Sequence, residues 1–204
     1  MAKSDTKEWR QEQVIEATSR CIVEKGLADM SMKDIAREAN VSTGIIYHYF
    51  KNKEDLLLQV IKRAFQKSHE QVMETVETLS SPVEKLERHL ENILAVPKEN
   101  PDFFVVLLNY LGEAKHHPEL QAIVAKFFRN LRFYVEQYLQ EGVEQGLFAP
   151  EQVRHLPALL YSVGLGLGVM WMMDPESVDA NGAGKLFLQW MLEHLGVGRT
   201  EPDA

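Results

Sequence analysis

The stretch from residue 42 to residue 53 carries the side chains best suited to contact a nucleic acid. Small or hydrogen-bonding residues occupy the expected exposed side of a short helix, and two lysines follow it where a phosphate would lie. Any small helical domain can contain such a helix, so the spacing alone leaves DNA binding and a purely structural role open. The exposed side carries Thr43, Gly44, Tyr47 and His48, the lysines are Lys51 and Lys53, and Ile45, Ile46 and Phe50 are expected to pack inward.

Two short helices and a tight turn must position these residues. Ser31 and Asp34 have the spacing of a capping box at the start of one helix, and Ser42 is a candidate N-cap of the next. Residues 31–50 are therefore predicted to form a helix-turn-helix motif, whose second helix enters the major groove. Asn52 is expected to cap the following long helix, which would add free backbone N–H groups to the phosphate site.

The rest of the chain continues as amphipathic helices that proline and glycine separate, and no segment alternates with a period of two. The predicted fold class is all-α with about nine helices: an N-terminal three-helix, helix-turn-helix head and a larger C-terminal helical bundle. The head is predicted to cover residues 1–52 and the bundle residues 53–204. Pro150 is expected to open one helix that ends at Met173, and the last helix is expected to cover residues 183–195.

The charge distribution separates these two parts. Residues 1–53 hold 9 Lys and Arg against 8 Asp and Glu, whereas residues 54–204 hold 13 Lys and Arg against 22 Asp and Glu. The chain's net charge of −8 therefore comes from the second part. A polyanionic partner is therefore expected at the head only. The single cysteine excludes an internal disulfide, and the charged first residues contain no signal peptide, so a cytoplasmic protein is expected.

The residues of the head resemble a known family. The stretch SMKDIAREANVSTGIIYHYFKNKEDL, residues 31–56, resembles the head of the TetR (tetracycline-repressor) family, and the resemblance extends over about residues 8–65. Beyond it the resemblance is architectural. The stretch STGII, residues 42–46, and the segments YVEQ, residues 134–137, and EQGL, residues 144–147, look most like the BetI/RutR-type branch. The family usually has glycine where this chain has Asn40, and asparagine is the residue that best replaces glycine at positive φ.

The resemblance implies a dimeric, ligand-responsive regulator of transcription, most simply a repressor that a small-molecule effector releases from operator DNA. It implies that Thr43, Gly44 and His48 read base edges or the adjacent backbone, and that Tyr47, Tyr49 and Lys53 hold phosphates. No cofactor and no metal are expected. The complete set of predicted DNA-contacting residues is Ser31, Lys33, Ser42, Thr43, Gly44, Tyr47, His48, Tyr49, Lys51 and Lys53.

Aromatic and apolar residues of the middle helices are candidates for a ligand cavity. Such residues on amphipathic helices are more often part of an ordinary core, so both interpretations remain open. The candidates are Phe65, Met73, Phe103, Phe104, Leu107, Tyr110, Phe127, Phe128, Tyr134 and Trp171.

An uncharged run of 18 residues, 156–173, has the length of a membrane span, but its proline, its three glycines and the absence of a basic flank argue against one. Gly164 and Gly168 share one helix face, which would let a second helix approach closely. With the last helix, this face is predicted to form a four-helix dimer interface, and burial within the monomer is the alternative. The predicted interface residues are Leu160, Gly164, Leu167, Gly168, Leu186 and Trp190.

The sequence contains no P-loop, GxSxG, HExxH or GxGxxG motif in a suitable context, so an enzyme is not expected. The alternative function is that of a helical dimer that binds a small molecule or lipid without specific DNA binding. Specific duplex binding that falls steeply with salt would separate the two functions.

Overall fold

The computed structural model describes the backbone of residues 2–197 and the side chains of residues 7–197. Every regular element in this range is a helix, and nine of the ten have seven residues or more, which confirms the all-α prediction. The elements are α1 (Ala2–Lys25), α2 (Met32–Glu38), α3 (Thr43–Tyr49), α4 (Lys53–Val76), α5 (Pro82–Glu99), α6 (Pro101–Ala114), α7 (Pro118–Glu144), α8 (Pro150–Val153), α9 (Leu156–Met173) and α10 (Ala180–His194).

The capping signals of the motif act as their sequence predicts. The Ser31 side chain accepts a hydrogen bond from the Asp34 backbone N–H at 3.2 Å, and the Asp34 carboxylate accepts one from the Ser31 N–H at 3.0 Å. The Ser42 hydroxyl accepts a bond from the backbone N–H of Ile45 at 3.3 Å. Asn40 turns the chain between α2 and α3 with a φ of 52°, in the left-handed region that asparagine tolerates best after glycine.

The chain divides into two compact units, Met1–Ser68 with Pro101–Lys126, and His69–Asn100 with Phe127–Ala204. Helices α4 and α7 contribute residues to both. The first unit therefore combines the three head helices with α6 and parts of α4 and α7. The functional boundary predicted between residues 52 and 53 stays a prediction, and the outer ends predicted for the two domains, residues 1 and 204, lie outside the described range.

In the first unit, α1 packs on both α2 and α6, and α2 packs on α3. Polar side chains of α6 tie it to its neighbours: the Asn109 side chain accepts a bond from the Leu27 N–H at 3.2 Å, and the Tyr110 hydroxyl donates to the Leu57 carbonyl at 2.6 Å. Cys21 of α1 lies in the same core and is 3% exposed. Burial is the main cause that raises the pKa of its thiol, and the nearby Glu38 adds to the effect.

In the second unit, α5, α9 and α10 pack against one another around a core that α7 completes. Glycines make the close approach possible, because a methyl group on Gly164 of α9 would collide with Ile93 of α5, and one on Gly184 of α10 would collide with Leu94. The fully or almost fully buried residues of this core include Leu86, Leu90, Val135, Leu139, Leu160, Met191 and Leu195.

The structure corrects two predicted helix boundaries. The helix expected from Pro150 to Met173 is two helices, α8 and α9, and the break falls at residues 154–155. Pro157 accounts for the break, because proline has no N–H to bond four residues back and its ring collides with that carbonyl. The last helix begins at Ala180 rather than at residue 183, since the Asp179 side chain caps it by accepting a bond from the Gly182 N–H at 2.8 Å.

Candidate functional site

The exposed face of α3 presents the predicted contact residues. Gly44, Tyr47 and His48 are exposed, and Thr43 and Tyr49 are half-buried. The ring of His48 lies edge-on to that of Tyr49, with 5.0 Å between the ring centroids. Hydrogen-bonding groups therefore point away from the core over most of this helix face.

Ile45 departs from expectation. It was expected to pack inward, but 40% of its surface is exposed, so that prediction is wrong. Consecutive helix residues point about 100° apart, and Ile46 and Phe50, one turn apart, already fill the inner side of α3. Ile45 consequently lies on the same exposed side as its polar neighbours.

A concave site of about 360 Å³ lies at the N-terminal end of α3. One of its walls is Arg10 of α1, whose guanidinium carbon is 4.7 Å from the ring centroid of Trp9 and which also donates to Gln13 at 2.9 Å. Sequence reasoning missed Arg10, because nothing in its local pattern links it to a motif some thirty residues later. The other lining residues are Asn40, Val41, Ser42, Gly44, Ile45, His48 and Tyr49.

The two lysines after α3 are held differently. Lys53 donates its ammonium group to the Met30 carbonyl at 2.5 Å and is half-buried, whereas the Lys51 side chain is exposed. The free backbone N–H groups expected at the start of α4 are only partly available to a phosphate, which corrects that expectation. Asn52 caps the Asp55 N–H at 2.8 Å, the Asp55 carboxylate accepts from the Lys51 N–H at 2.9 Å, and the first turn carries two carboxylates that repel a phosphate.

The start of α2 is a small charged cluster. Ser31 and Lys33 are exposed there, as predicted for contact residues. The Asp34 carboxylate accepts from Lys25 at 2.5 Å and from Arg37 at 2.9 Å. The bond from Lys25, followed by those from Ser31, holds the pKa of Asp34 well below its usual range. The cluster thus links the end of α1 to the first turn of α2.

The ten candidate pocket residues are divided between the two units. Phe65, Phe103, Phe104, Leu107 and Tyr110 belong to the first unit, and Met73, Phe127, Phe128, Tyr134 and Trp171 belong to the second. Two of the ten line cavities in the part of the chain that the structure describes. Tyr110 lines a groove of about 320 Å³ in the first unit, and Trp171 lines a cavity of about 360 Å³ in the second.

Sequence reasoning missed a buried polar cluster in the second unit. His89 of α5 is 1% exposed, and its Nε2 is hydrogen-bonded to the Tyr161 hydroxyl. Its Nδ1 and the hydroxyl of Tyr138 are buried and have no hydrogen-bond partner among the described residues. Burial lowers the pKa of His89 to about 4, to which the nearby His69 contributes, so the ring is neutral at neutral pH. The available signal was a histidine on the buried stripe of α5, next to Leu90.

The glycine face of α9, predicted to form a dimer interface, is buried within the monomer. Leu160 is fully buried in the core of the second unit, Gly164 packs on Ile93, and Gly168 is also buried. These three predicted interface residues therefore belong to the monomer core, and Ile93 of α5 already occupies the space beside Gly164. Leu167 is half-buried.

Another face of α9 is apolar and exposed. It carries Leu159, Met170 and Met173, of which Met173 is 69% exposed. The predicted interface residues of α10 are also exposed, Leu186 at 45% and Trp190 at 60%. By length and hydropathy, Pro150–Met173 is the one stretch in the described part of the chain that could cross a membrane, which is weak evidence for a span.

These features define a class of protein: a helix-turn-helix DNA-binding protein with a larger helical second part. Comparison with known families identifies it further. The model of the bacterial regulatory proteins of the tetR family matches residues 14–60, and the model of the C-terminal domain of BetI-type transcriptional repressors matches residues 82–195. The chain belongs to the TetR family of transcriptional regulators, and its predicted BetI-type branch is confirmed.

Individual proteins agree with this assignment. A helix-turn-helix transcriptional regulator of Haemophilus influenzae is 30% identical over 174 residues, which cover 83% of this chain and 89% of that protein. A transcriptional regulator from Saccharomonospora viridis, solved in complex with choline, has a TM-score of 0.80 at 22% identity over 90% of this chain and 95% of its own. FadR from Bacillus subtilis, solved with stearoyl-CoA, has a TM-score of 0.77 at 22% identity over 90% and 98%. The relatives are transcriptional regulators, a family without enzymatic activity.

Proposed function

We propose that the chain is a dimeric repressor that binds operator DNA through α3 and is released by a small-molecule effector. The observation that carries the proposal is the exposed face of α3, where Gly44, Tyr47 and His48 point outward while Ile46 and Phe50 anchor the helix. A ligand-binding dimer with a vestigial head is disfavoured, because the capping bonds and the left-handed turn of the motif are intact.

The contact residues divide by chemistry. Thr43, Gly44 and His48 are assigned to base edges or the adjacent backbone, together with Ser42 at the start of α3. Positively charged and hydroxyl groups around the motif are assigned to phosphates, and exposed Lys51 is the clearest of these. Arg10 joins this set from α1, since it lines the same concave site as His48. The phosphate set is Arg10, Ser31, Lys33, Tyr47, Tyr49, Lys51 and Lys53.

The dimer interface is proposed on the exposed apolar face of α9 and α10. Leu159, Met170 and Met173 on α9, and Leu186 and Trp190 on α10, lie uncovered in the described part of the chain. Exposed apolar residues concentrated in two adjacent helices are typical of an interaction surface. Two such faces related by a two-fold axis would form a four-helix interface.

The effector is proposed to bind in the second unit, with His89 and Tyr138 as polar anchors. Both residues are buried and both present an unpartnered hydrogen-bonding atom, an arrangement that is costly unless a water or ligand satisfies it. Choline and stearoyl-CoA in the two structural neighbours show that this fold accommodates different organic ligands. The same proposal places the functional boundary between residues 52 and 53, with DNA binding before it and effector binding after it. It also implies a cytoplasmic location, because operator DNA is in the cytoplasm.

The test is selection of duplexes from a random library by the purified chain, followed by binding titrations at several salt concentrations. We expect a pseudo-palindromic site with half-sites about one helical turn or a multiple apart, and an affinity that falls steeply with salt. A matched control replaces the selected half-sites by random sequence at the same length. Equal affinity for both duplexes would contradict the proposal.

A further inference from the structure

Ile45 is an aliphatic side chain on the face of α3 that is proposed to meet DNA. Its surface is 40% exposed, and it lines the concave site together with Ser42, Gly44 and His48. All three of those neighbours offer polar or backbone groups. Ile45 therefore stands out as an apolar element within a polar interface.

The backbone N–H of Ile45 is not free to contact DNA. Its N–H is already bonded to Ser42, which caps the helix. Only the side chain is available for a partner, and it has no donor, acceptor or charge. Such a side chain gains nothing from contact with a charged phosphate or a polar sugar. We therefore expect it to contact an apolar group on the bases.

The major groove offers one aliphatic group, the 5-methyl of thymine. Cytosine, guanine and adenine present donors and acceptors there, which an isoleucine would desolvate without replacing. Ile45 is the third residue of α3, and the N-terminal residues of a recognition helix are those that contact base edges.

We propose that Ile45 is a specificity-determining residue that packs on the 5-methyl group of a thymine in each half-site of the operator. The inference rests on the proposed function, because it requires α3 to lie in the major groove. It adds a feature of the operator: a thymine at a fixed place in each half-site, selected by apolar contact rather than by hydrogen bonds.

The experiment uses the duplex obtained by selection and replaces its thymines one at a time, symmetrically in both half-sites, by deoxyuridine. This change removes one methyl group and leaves every hydrogen-bonding group of the base in place. We expect one symmetric pair whose replacement weakens binding of the wild-type dimer by about 15-fold, since burial of one methyl group provides about fourfold and two half-sites are changed. The same replacement should change binding of Ile45→Ala by less than about twofold.

Tyr47→Phe is the matched control on the same helix. It removes a hydroxyl assigned to a phosphate, so it should weaken binding to every duplex and keep the full sensitivity to deoxyuridine. Because Ile45 is exposed, Ile45→Ala should fold as the wild type does, which circular dichroism and the melting temperature check. Ile45→Val, which keeps part of the apolar surface, should retain an intermediate sensitivity.

The possible results separate the two proposals. If the selected duplex binds specifically but no thymine is sensitive to loss of its methyl group, or if the sensitivity persists in Ile45→Ala, the assignment of Ile45 is overturned and the proposed function stands. If no duplex is selected at all, the proposed function itself fails.

Discussion

Lys51 and Lys53 follow α3 directly, but only Lys53 has its ammonium group bonded to the backbone of the motif. Because Lys53 bonds the Met30 carbonyl at 2.5 Å, its ammonium group supports the turn before α2, whereas the Lys51 side chain is exposed. We predict that Lys51→Ala weakens binding to all duplexes alike and reduces the slope of log affinity against log salt by about one, with the melting temperature unchanged. Lys53→Ala should lower the melting temperature as well, because it removes a half-buried bond. Salt titrations and thermal melts of both variants are the check, and identical melts would contradict the distinction.

His89 makes the stability of the fold depend on pH. Its pKa is about 4 in the folded chain and about 6.5 when unfolded, so between these values the unfolded chain binds more protons. Stability from this group is therefore complete above pH 6.5 and is lost as the pH falls toward 4, by up to about 3 kcal/mol. We predict that the free energy of unfolding of His89→Phe falls less between pH 7 and pH 4.5 than that of the wild type. Urea titrations at the two pH values measure the difference, and parallel losses would refute the assignment.

At the scale of helices, α9 has an exposed apolar face, proposed as the dimer interface, and a buried glycine face that packs in the monomer core. We predict that Met170→Glu and Trp190→Glu shift the protein toward monomer in sedimentation and weaken operator binding, because each places a charge in the proposed interface. Leu147→Glu is the control, since Leu147 is an exposed apolar residue between α7 and α8, outside the proposed face. A Trp190→Glu protein that remains dimeric at micromolar concentration would exclude this face.

The glycine face of α9 gives the opposite expectation. In Gly164→Ala the new methyl group would collide with the branched side chain of Ile93, at a cost on the order of 1–3 kcal/mol in the free energy of unfolding. The variant should still dimerise. Gly112→Ala on α6 is the matched control, because nothing lies within 4 Å of the added methyl group and alanine favours a helix by about 1 kcal/mol. Loss of dimer without loss of stability in Gly164→Ala would restore the original interface.

For the whole molecule, we predict that α4 couples effector binding to DNA binding. It is 24 residues long, about 36 Å at 1.5 Å per residue, and it begins at the lysines assigned to phosphates and ends in the core of the second unit. An effector that favours one placement of α4 should weaken operator binding by a typical coupling of about 5- to 150-fold. By reciprocity, the operator must weaken effector binding by the same factor. Calorimetry with and without the selected duplex tests this, and equal effector affinities would refute the mechanism.

How far the sequence predicts this molecule depends on the range of the interactions involved. The caps at Ser31 and Ser42 and the turn at Asn40 act over three or four residues, and all were predicted correctly. The exposure of Ile45 and the burial of Gly164 depend on which neighbouring helix covers which face, and periodicity alone does not contain that information. His89 was missed for the same reason, because its partner Tyr161 lies 72 residues away.

The buried thiol of α1 is a natural probe of local unfolding in the head. Cys21 is the chain's only cysteine, and a thiol reagent can reach it only when the core around α1 opens. The rate of its reaction therefore reports the local opening free energy of the DNA-binding head, without any engineered label. Operator DNA that clamps the head should slow this reaction, and an effector that disorders the head rather than reorienting it should speed it up. The rate of thiol labelling would then distinguish an effector that releases DNA by disordering the head from one that releases DNA by reorienting it.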